Sequence, residues 1–206
     1  MSEKIAVFVD YQNVYMGARR AFGTRRADGT LSEPSNFGQV DPVKLGQWLV
    51  ENRTFDRQLV YVQLYRGLPS STYDPQGYGA TRRQVDAWNK QHRVRAITKP
   101  LRYTNGRSPQ EKGVDVALAV DLVMGARDVD FQVAVVFSAD TDLVPALDAA
   151  MECGRKIEVA TWIPAPGNGS RSEIRPSKGE WWTHRLRRAD YDRVCDATDY
   201  NLPTRS

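Results

Sequence analysis

Gln132-Val133-Ala134-Val135-Val136-Phe137 runs directly into Ser138-Ala139-Asp140-Thr141-Asp142 and then into Leu143-Val144-Pro145. Its apolar, β-branched core, Val133 to Phe137, is the pattern of a strand buried on both faces. Leu143 to Met151 reads as a helix, with Gly154 as its stop. A doubly buried strand that turns at once into a helix is half of a parallel crossover unit. The same unit opens the chain, where Ile5 to Val9 is another buried strand ending at Asp10, and Asn13 to Phe22 reads as a helix.

Between and beyond these units the alternation continues. Strands are expected over Gln58–Tyr65 and Val94–Thr98, with Lys156–Trp162 as the last. Helices are expected from Asp41-Pro42 to about Asn52, over Ala80–His92, over Val114–Met124 and around Arg188–Ala197. Val114, Ala117, Leu118, Val120, Leu122 and Val123 give the third of these a broad apolar face. Gly23–Gly38, Gly67–Gly79 and Lys99–Glu111 read as loops. The whole of 1–206 is read as one doubly wound α/β domain, with a Pro/Gly/Ser-rich loop at about 164–178 and a helical tail at about 180–206.

Composition removes several function classes. The chain has 206 residues, 41% hydrophobic and 26% charged, enough for a core without staples. No stretch approaches the roughly 20 apolar residues that span a bilayer, so no membrane partner is expected. The opening Met1 to Asp10 lacks the form of a secretory signal. Cys153 and Cys195 form no CxxC, and His92 and His184 have no partner at metal-ligand spacing. That argues against a zinc site or a Cys-His nucleophile, and for a reducing, cytoplasmic setting. No GxSxG occurs. The net charge is +4, from 22 Arg and 7 Lys against 17 Asp and 8 Glu. The Arg excess suits a phosphate partner, and a compositional bias of the gene explains it equally well.

The topology decides where the Asp excess goes. Ligands of an open parallel sheet bind beyond the C-terminal strand ends, where strand order reverses. Asp10 ends the first strand, Ser138, Asp140 and Asp142 follow the Phe137 strand, and Asp115 lies in the first turn of the Val114 helix at the same edge. If the two strands are neighbours, Asp10 and Asp140 come within metal-bridging reach. Carboxylates sharing one site repel, so a cation neutralises them or some are protonated. All-oxygen ligands select Mg²⁺ or Mn²⁺, which clamp a phosphodiester and activate water. A strand-end Asp can also be a plain cap, but Asn13, three residues after Asp10, favours a site. One of Asp140 and Asp142 is expected to cap the following helix and the other to bind metal, with Asp140 the better ligand. Asp121, six residues past Asp115, points about 120° away and is read as a helix-face residue. Ser138 either steadies a carboxylate or is a buried strand-end serine without function.

These residues together resemble a known family. Val7-Phe8-Val9-Asp10-Tyr11-Gln12-Asn13 is similar to the opening "hydrophobic-Asp-x-x-Asn" of NYN domains, the LabA-like branch of the PIN-like nucleases. Glu111-Lys112-Gly113-Val114-Asp115-Val116, followed by Asp121, resembles their "Lys-Gly-Val-Asp…Asp" helix. Val136 to Pro145 resembles their "Ser-Gly-Asp-Ser-Asp-Phe…Pro" segment, with Ala139 in place of the usual Gly. Leu186 to Tyr191 resembles the closing "Leu…Ala-Asp-x-Phe". The resemblance implies a PIN-like three-layer α/β/α sandwich with a mostly parallel sheet. It implies Mg²⁺ or Mn²⁺ held by Asp10, Asp115 and Asp140, with Asp142 nearby, and hydrolysis of RNA phosphodiesters. Asn13 would orient a carboxylate or a phosphate.

The expected partner is RNA, single-stranded or structured, and a homodimer is compatible with the sequence. Lys99, Arg102 and Arg107 precede Asp115, Arg19, Arg20, Arg25 and Arg26 lie at and after the end of the first helix, and Lys112 adjoins the site. Tyr11 and Tyr103, among or beside these cations, are candidates for stacking bases. Arg185, Arg187 and Arg188 would extend the track, while Trp181-Trp182 is read as an anchor for the tail. Two rival functions remain: an RNA-binding module without turnover, and a haloacid-dehalogenase-like phosphatase. Gln12, where that phosphatase chemistry wants a second Asp, argues against the latter.

Overall fold

A computed structural model describes residues 2–53, 56–104, 108–168 and 173–202. Six strands form its sheet: β1 (Glu3–Asp10), β2 (Arg57–Leu68), β3 (Val94–Pro100), β4 (Val133–Phe137), β5 (Lys156–Trp162) and β6 (Trp182–Leu186). Their order is β3-β2-β1-β4-β5-β6, and every pairing is parallel. The helices are α1 (Tyr11–Phe22), α2 (Pro42–Glu51), α3 (Pro75–Asn89), α4 (Val114–Arg127), α5 (Val144–Glu152) and α6 (Arg188–Val194).

The period-two rule for strands divides the core into two layers. Ile5, Val7 and Val9 of β1 pack on one face with Val14 and Ala18 of α1, Leu45 and Leu49 of α2, Trp88 of α3 and Tyr191 of α6. Ala6 and Phe8 pack on the other with Leu118 and Leu122 of α4 and Leu147 of α5. This is the three-layer α/β/α sandwich that the resemblance implied, with a sheet parallel throughout. Chain order reverses between β1 and β4, which are hydrogen-bonded neighbours with Val9 opposite Phe137. Asp10 and Ser138 are therefore the next residues on adjacent strands, at the switch point.

Several boundaries differ from the sequence reading. Lys156–Trp162 is not the last strand, because Trp182–Leu186 adds a sixth. That segment is polar, and its buried His184 meets Glu158 of β5 at 2.7 Å. Helix α3 starts at Pro75, inside the expected 67–79 loop. Asp74 caps it through Gly77 N, the cap-then-proline signal that also starts α2 at Asp41-Pro42. Strand β3 extends through Lys99, which is thus a strand residue. Val120, expected on the apolar face of α4, is more than half exposed. No helix among the described residues is long and apolar enough to cross a membrane.

The N-terminal end of the sheet carries a buried ion network. Arg57 donates to both carboxylate oxygens of Glu158 at 3.0 and 2.6 Å and also reaches Glu3 at 3.1 Å. Burial alone would raise the Glu158 carboxyl. Hydrogen bonds and charge from His184 and Arg57 outweigh that and hold it at about 2. A depressed carboxyl stabilises the fold above its unfolded pKa, near 4.5, and that contribution is lost as pH falls toward 2. Glu158→Gln is expected to cost about 3 kcal/mol at pH 7, because it leaves Arg57 under-compensated in a buried site. It should also flatten the acid limb of stability between pH 4.5 and 2. Urea titrations across that range measure both effects, and an unchanged acid limb would refute the assignment.

Candidate functional site

The site grows from the end of β1. Asp10 is 1% exposed and caps α1, where its Oδ1 accepts from Asn13 N at 3.2 Å. Its Oδ2 accepts from Asn13 Nδ2 at 2.6 Å and from Ser138 Oγ at 2.7 Å. Ser138 Oγ in turn accepts from Asp140 N at 3.1 Å. The cap, the strand-end serine and the turn after β4 thus form one hydrogen-bonded unit that crosses the switch point. Asn13 and Ser138 orient the Asp10 carboxylate.

Asp140 is the capping residue of its turn. Its Oδ1 accepts from Asp142 N at 2.9 Å and starts a short 3-10 turn, Thr141–Leu143, before α5. The expected division between a capping and a metal-binding Asp therefore does not hold in that form: Asp140, picked as the better ligand, is also the cap, and Asp142 is exposed. Asp115 sits in the first turn of α4, behind Gly113 at φ 78°, a left-handed conformation that favours glycine. Asp121 faces the sheet and accepts from Gln63 Nε2 at 2.7 Å and Tyr65 Oη at 2.9 Å.

Sequence reasoning missed Glu111, treated there only as part of a motif. Its Oε1 accepts from Gly67 N at 2.6 Å, so the carboxylate rests on the end of β2. A Cβ at position 67 would lie 2.7 Å from that oxygen, so this approach requires the glycine. No signal in the sequence links positions 67 and 111, since the contact is tertiary.

The carboxylates act on one another. Burial raises the Asp10 carboxyl and the charge of Asp140 adds to it, against hydrogen bonds that lower it. Burial raises Asp115, with further increments from Asp10, Asp140 and Asp142. Burial raises Glu111, and Asp10 and Asp115 add to the effect. An all-oxygen set with uncompensated negative charge suits a hard divalent cation. Among the described residues, however, no group of three or more His, Cys, Asp or Glu side chains is arranged to hold a metal ion. The fit is one of donor chemistry and charge, without convergence on a point. Beside Ser138 lies a cleft of about 220 Å³, walled by Asn13, Gly17, Arg20, Phe137 and Trp162.

The expected substrate contacts separate into two groups. Lys112, Lys99 and Arg102 are exposed, and Arg20 lines the cleft. Arg107 lies outside the described residues. Arg19 is not available as a substrate cation: it donates to the carbonyls of Pro34 at 2.7 Å and Phe37 at 2.6 Å and so clamps the loop after α1. Tyr11 is not a free stacking surface either, being 2% exposed and packed edge-on to Trp88. Tyr103 stacks on Tyr73, with ring centroids 4.9 Å apart. Arg185 pairs with Glu173 and Arg188 with Asp192, and Arg187 caps α6. Trp182 starts β6 with Arg53 over its ring, while Trp181 packs on the core.

Because Asp115 is raised, its charged form costs stability. The cost is absent below about pH 4 and complete once pH exceeds the raised value. Asp115→Asn is therefore expected to raise the Tm at pH 7.5, by the equivalent of about 0.5–1 kcal/mol for this half-exposed group, with the gain shrinking toward pH 4. Thermal unfolding at the two pH values checks this, and a lower Tm at pH 7.5 would contradict it.

Comparisons with known proteins bear on the fold and the family. No curated protein matches the chain. A protein of unknown function from Vibrio parahaemolyticus has a solved structure that matches with a TM-score of 0.51 and 21% identity, over 78% of this chain and 82% of that one. At that identity the likeness shows the fold alone. A Glycyrrhiza uralensis protein solved with glycyrrhetinic acid 3-O-monoglucuronide matches at a TM-score of 0.35 and 12% identity, over 78% of this chain and 28% of that one, and carries no weight. The family model of the NYN domain matches residues 4–174, which include Asp10, Asn13, Glu111, Asp115, Ser138 and Asp140. On that match, with the switch-point carboxylates in place, the chain belongs to the NYN domain family.

Proposed function

We propose that this protein is a Mg²⁺- or Mn²⁺-dependent ribonuclease of the LabA-like branch, which hydrolyses RNA phosphodiester bonds at the β1–β4 switch point. One observation carries the reading. In a chain of the NYN family, a buried Asp10 is oriented by Asn13 and Ser138 beside the mutually repelling carboxylates of Glu111 and Asp115. Asp10, Asp115 and Asp140 would hold the cation, with Asp142 and Glu111 adding negative charge. When bound, the cation would supply Lewis-acid polarisation of the phosphoryl group and a water of lowered pKa.

The chain's own residues supply the rest. Ser138 Oγ–H and Asn13 Nδ2–H hold the Asp10 carboxylate in one orientation, so no reorganisation is needed when substrate arrives. Lys112, exposed next to Glu111, and Arg20, in the lining of the cleft beside Ser138, would offer cations to a phosphate backbone. The cleft beside Ser138 lies next to these carboxylates, with Asn13 and Arg20 among its lining. The two free cysteines, Cys153 and Cys195, support a cytoplasmic setting.

A second reading is an RNA-binding module without turnover. It is favoured by the use of Asp140 Oδ1 as a cap and by the absence of a convergent metal-holding group among the described residues.

The test is incubation with single-stranded RNA and Mn²⁺ or Mg²⁺. Cation-dependent cleavage is expected, lost on chelation and reduced at least about a hundredfold, or ~3 kcal/mol, in Asp10→Asn. Equal cleavage by both proteins would sink the assignment. Tight, salt-dependent binding without cleavage would select the second reading.

A further inference from the structure

Arg66 follows Tyr65, the β2 residue in register with Asp10, but faces the opposite side of the sheet. Tyr65 turns toward Asp121 of α4, whereas Arg66 lies over the Tyr11 ring, 4.9 Å from its centroid, and 6.0 Å from that of Trp88. Among the described residues its one hydrogen bond runs from Nη1 to Gln84 Oε1, and its buried Nε has no acceptor there. Gln84 is itself fixed, since its Nε2 donates to Tyr11 Oη at 2.8 Å.

No carboxylate among the described residues pairs with this guanidinium. Glu111 is close enough to be felt but accepts from Gly67 N, and Asp196, near Tyr11, accepts from Tyr200 Oη and Thr198 N. Burial accordingly pushes the Arg66 guanidinium below its ordinary value. A desolvated cation without a counter-charge is costly to a fold, and a structural role would have supplied it with one.

Arg66 lines a cavity of about 230 Å³ between α1 and α3, whose walls include Tyr15, Gln39, Thr81 and Asn201. A second unpartnered polar atom belongs to the same lining, the buried Gln39 Oε1, which lacks a donor. The lining thus has a cationic donor in want of an acceptor and an acceptor in want of a donor. A ribose phosphate carries both: phosphate oxygens for the guanidinium and a hydroxyl for the amide oxygen.

We propose that this cavity binds a ribonucleotide phosphate, with Arg66 on the phosphate and Gln39 on a ribose hydroxyl. The anion site stands on its own geometry. That the phosphate belongs to an RNA strand crossing from the Asp10 rim rests on the ribonuclease reading.

The experiment uses the whole chain with Arg66→Met, which keeps a side chain of similar length without charge, and Gln39→Leu. All measurements are made without divalent metal, so they do not depend on cleavage. Inorganic phosphate is expected to raise the Tm of the unsubstituted protein and not that of Arg66→Met. Arg66→Met should itself fold with an equal or higher Tm, because it removes an unpaired buried cation. Its affinity for a short oligouridylate should fall about tenfold, and its salt slope by about one. Gln39→Leu should weaken the oligouridylate and leave the phosphate response intact. If a 5′-phosphorylated oligouridylate alone is sensitive to Arg66, the phosphate is terminal; if the 5′-hydroxyl form is equally sensitive, it is internal. An unchanged phosphate response in Arg66→Met, unchanged RNA affinity, or loss of folding in that variant would overturn the proposal. Failure of cleavage with these binding results intact would remove the ribonuclease reading and leave the anion site.

Discussion

A carboxylate withdrawn from water at the end of a parallel strand organises this molecule. Asp10 must be satisfied where β1 stops, and it is satisfied by three donors from two places: the first turn of α1 and the residue that follows β4. Those bonds tie the start of α1 to the β1–β4 junction. That junction is where chain order reverses and the crossover connections leave the sheet on opposite sides. The residue that closes the fold at its switch point is therefore also the one that carries the most buried charge there. Stability and chemistry pull on it in opposite directions, since hydrogen bonds favour its ionised form and burial beside Asp140 opposes it.

The two ends of the sheet handle buried charge differently. At the N-terminal end, Glu3, Arg57, Glu158 and His184 come from four strands and compensate one another, and the Glu158 carboxyl is driven down. At the C-terminal end, Asp10, Glu111 and Asp115 are driven up, and among the described residues no cation is bonded to them. One end is a closed structural network; the other is left short of positive charge. Arg66 shows the converse imbalance a short step away, a positive charge without a carboxylate partner among the described residues.

Much of this was legible in the sequence because it is local. A β-branched run followed by Asp-x-x-Asn, or by Ser-x-Asp-x-Asp before a helix, sets its own strand, cap and turn, so Asp10, Asn13, Ser138 and Asp140 could be brought to one rim from pattern and topology. What was not legible depends on contacts between distant segments. Strand β6 is polar in sequence and is a strand because Glu158 and the edge of β5 receive it. Glu111 joins the rim because position 67 lacks a side chain. Arg19 and Arg66 look alike as sequence, yet one clamps backbone carbonyls of its own loop and the other lies stacked and unpaired over a cavity. Charge composition cannot separate them, because the distinction lies in which acceptors the fold brings near.

The decisive measurement is anomalous diffraction from crystals of the protein soaked in Mn²⁺. A single strong peak at the β1–β4 switch point, with carboxylate oxygens of Asp10, Asp115 and Asp140 drawn onto the ion, is the predicted result. A peak elsewhere, or none at the rim in crystals that take up Mn²⁺ at other sites, would contradict it and leave the carboxylates of this rim without the cation that explains them.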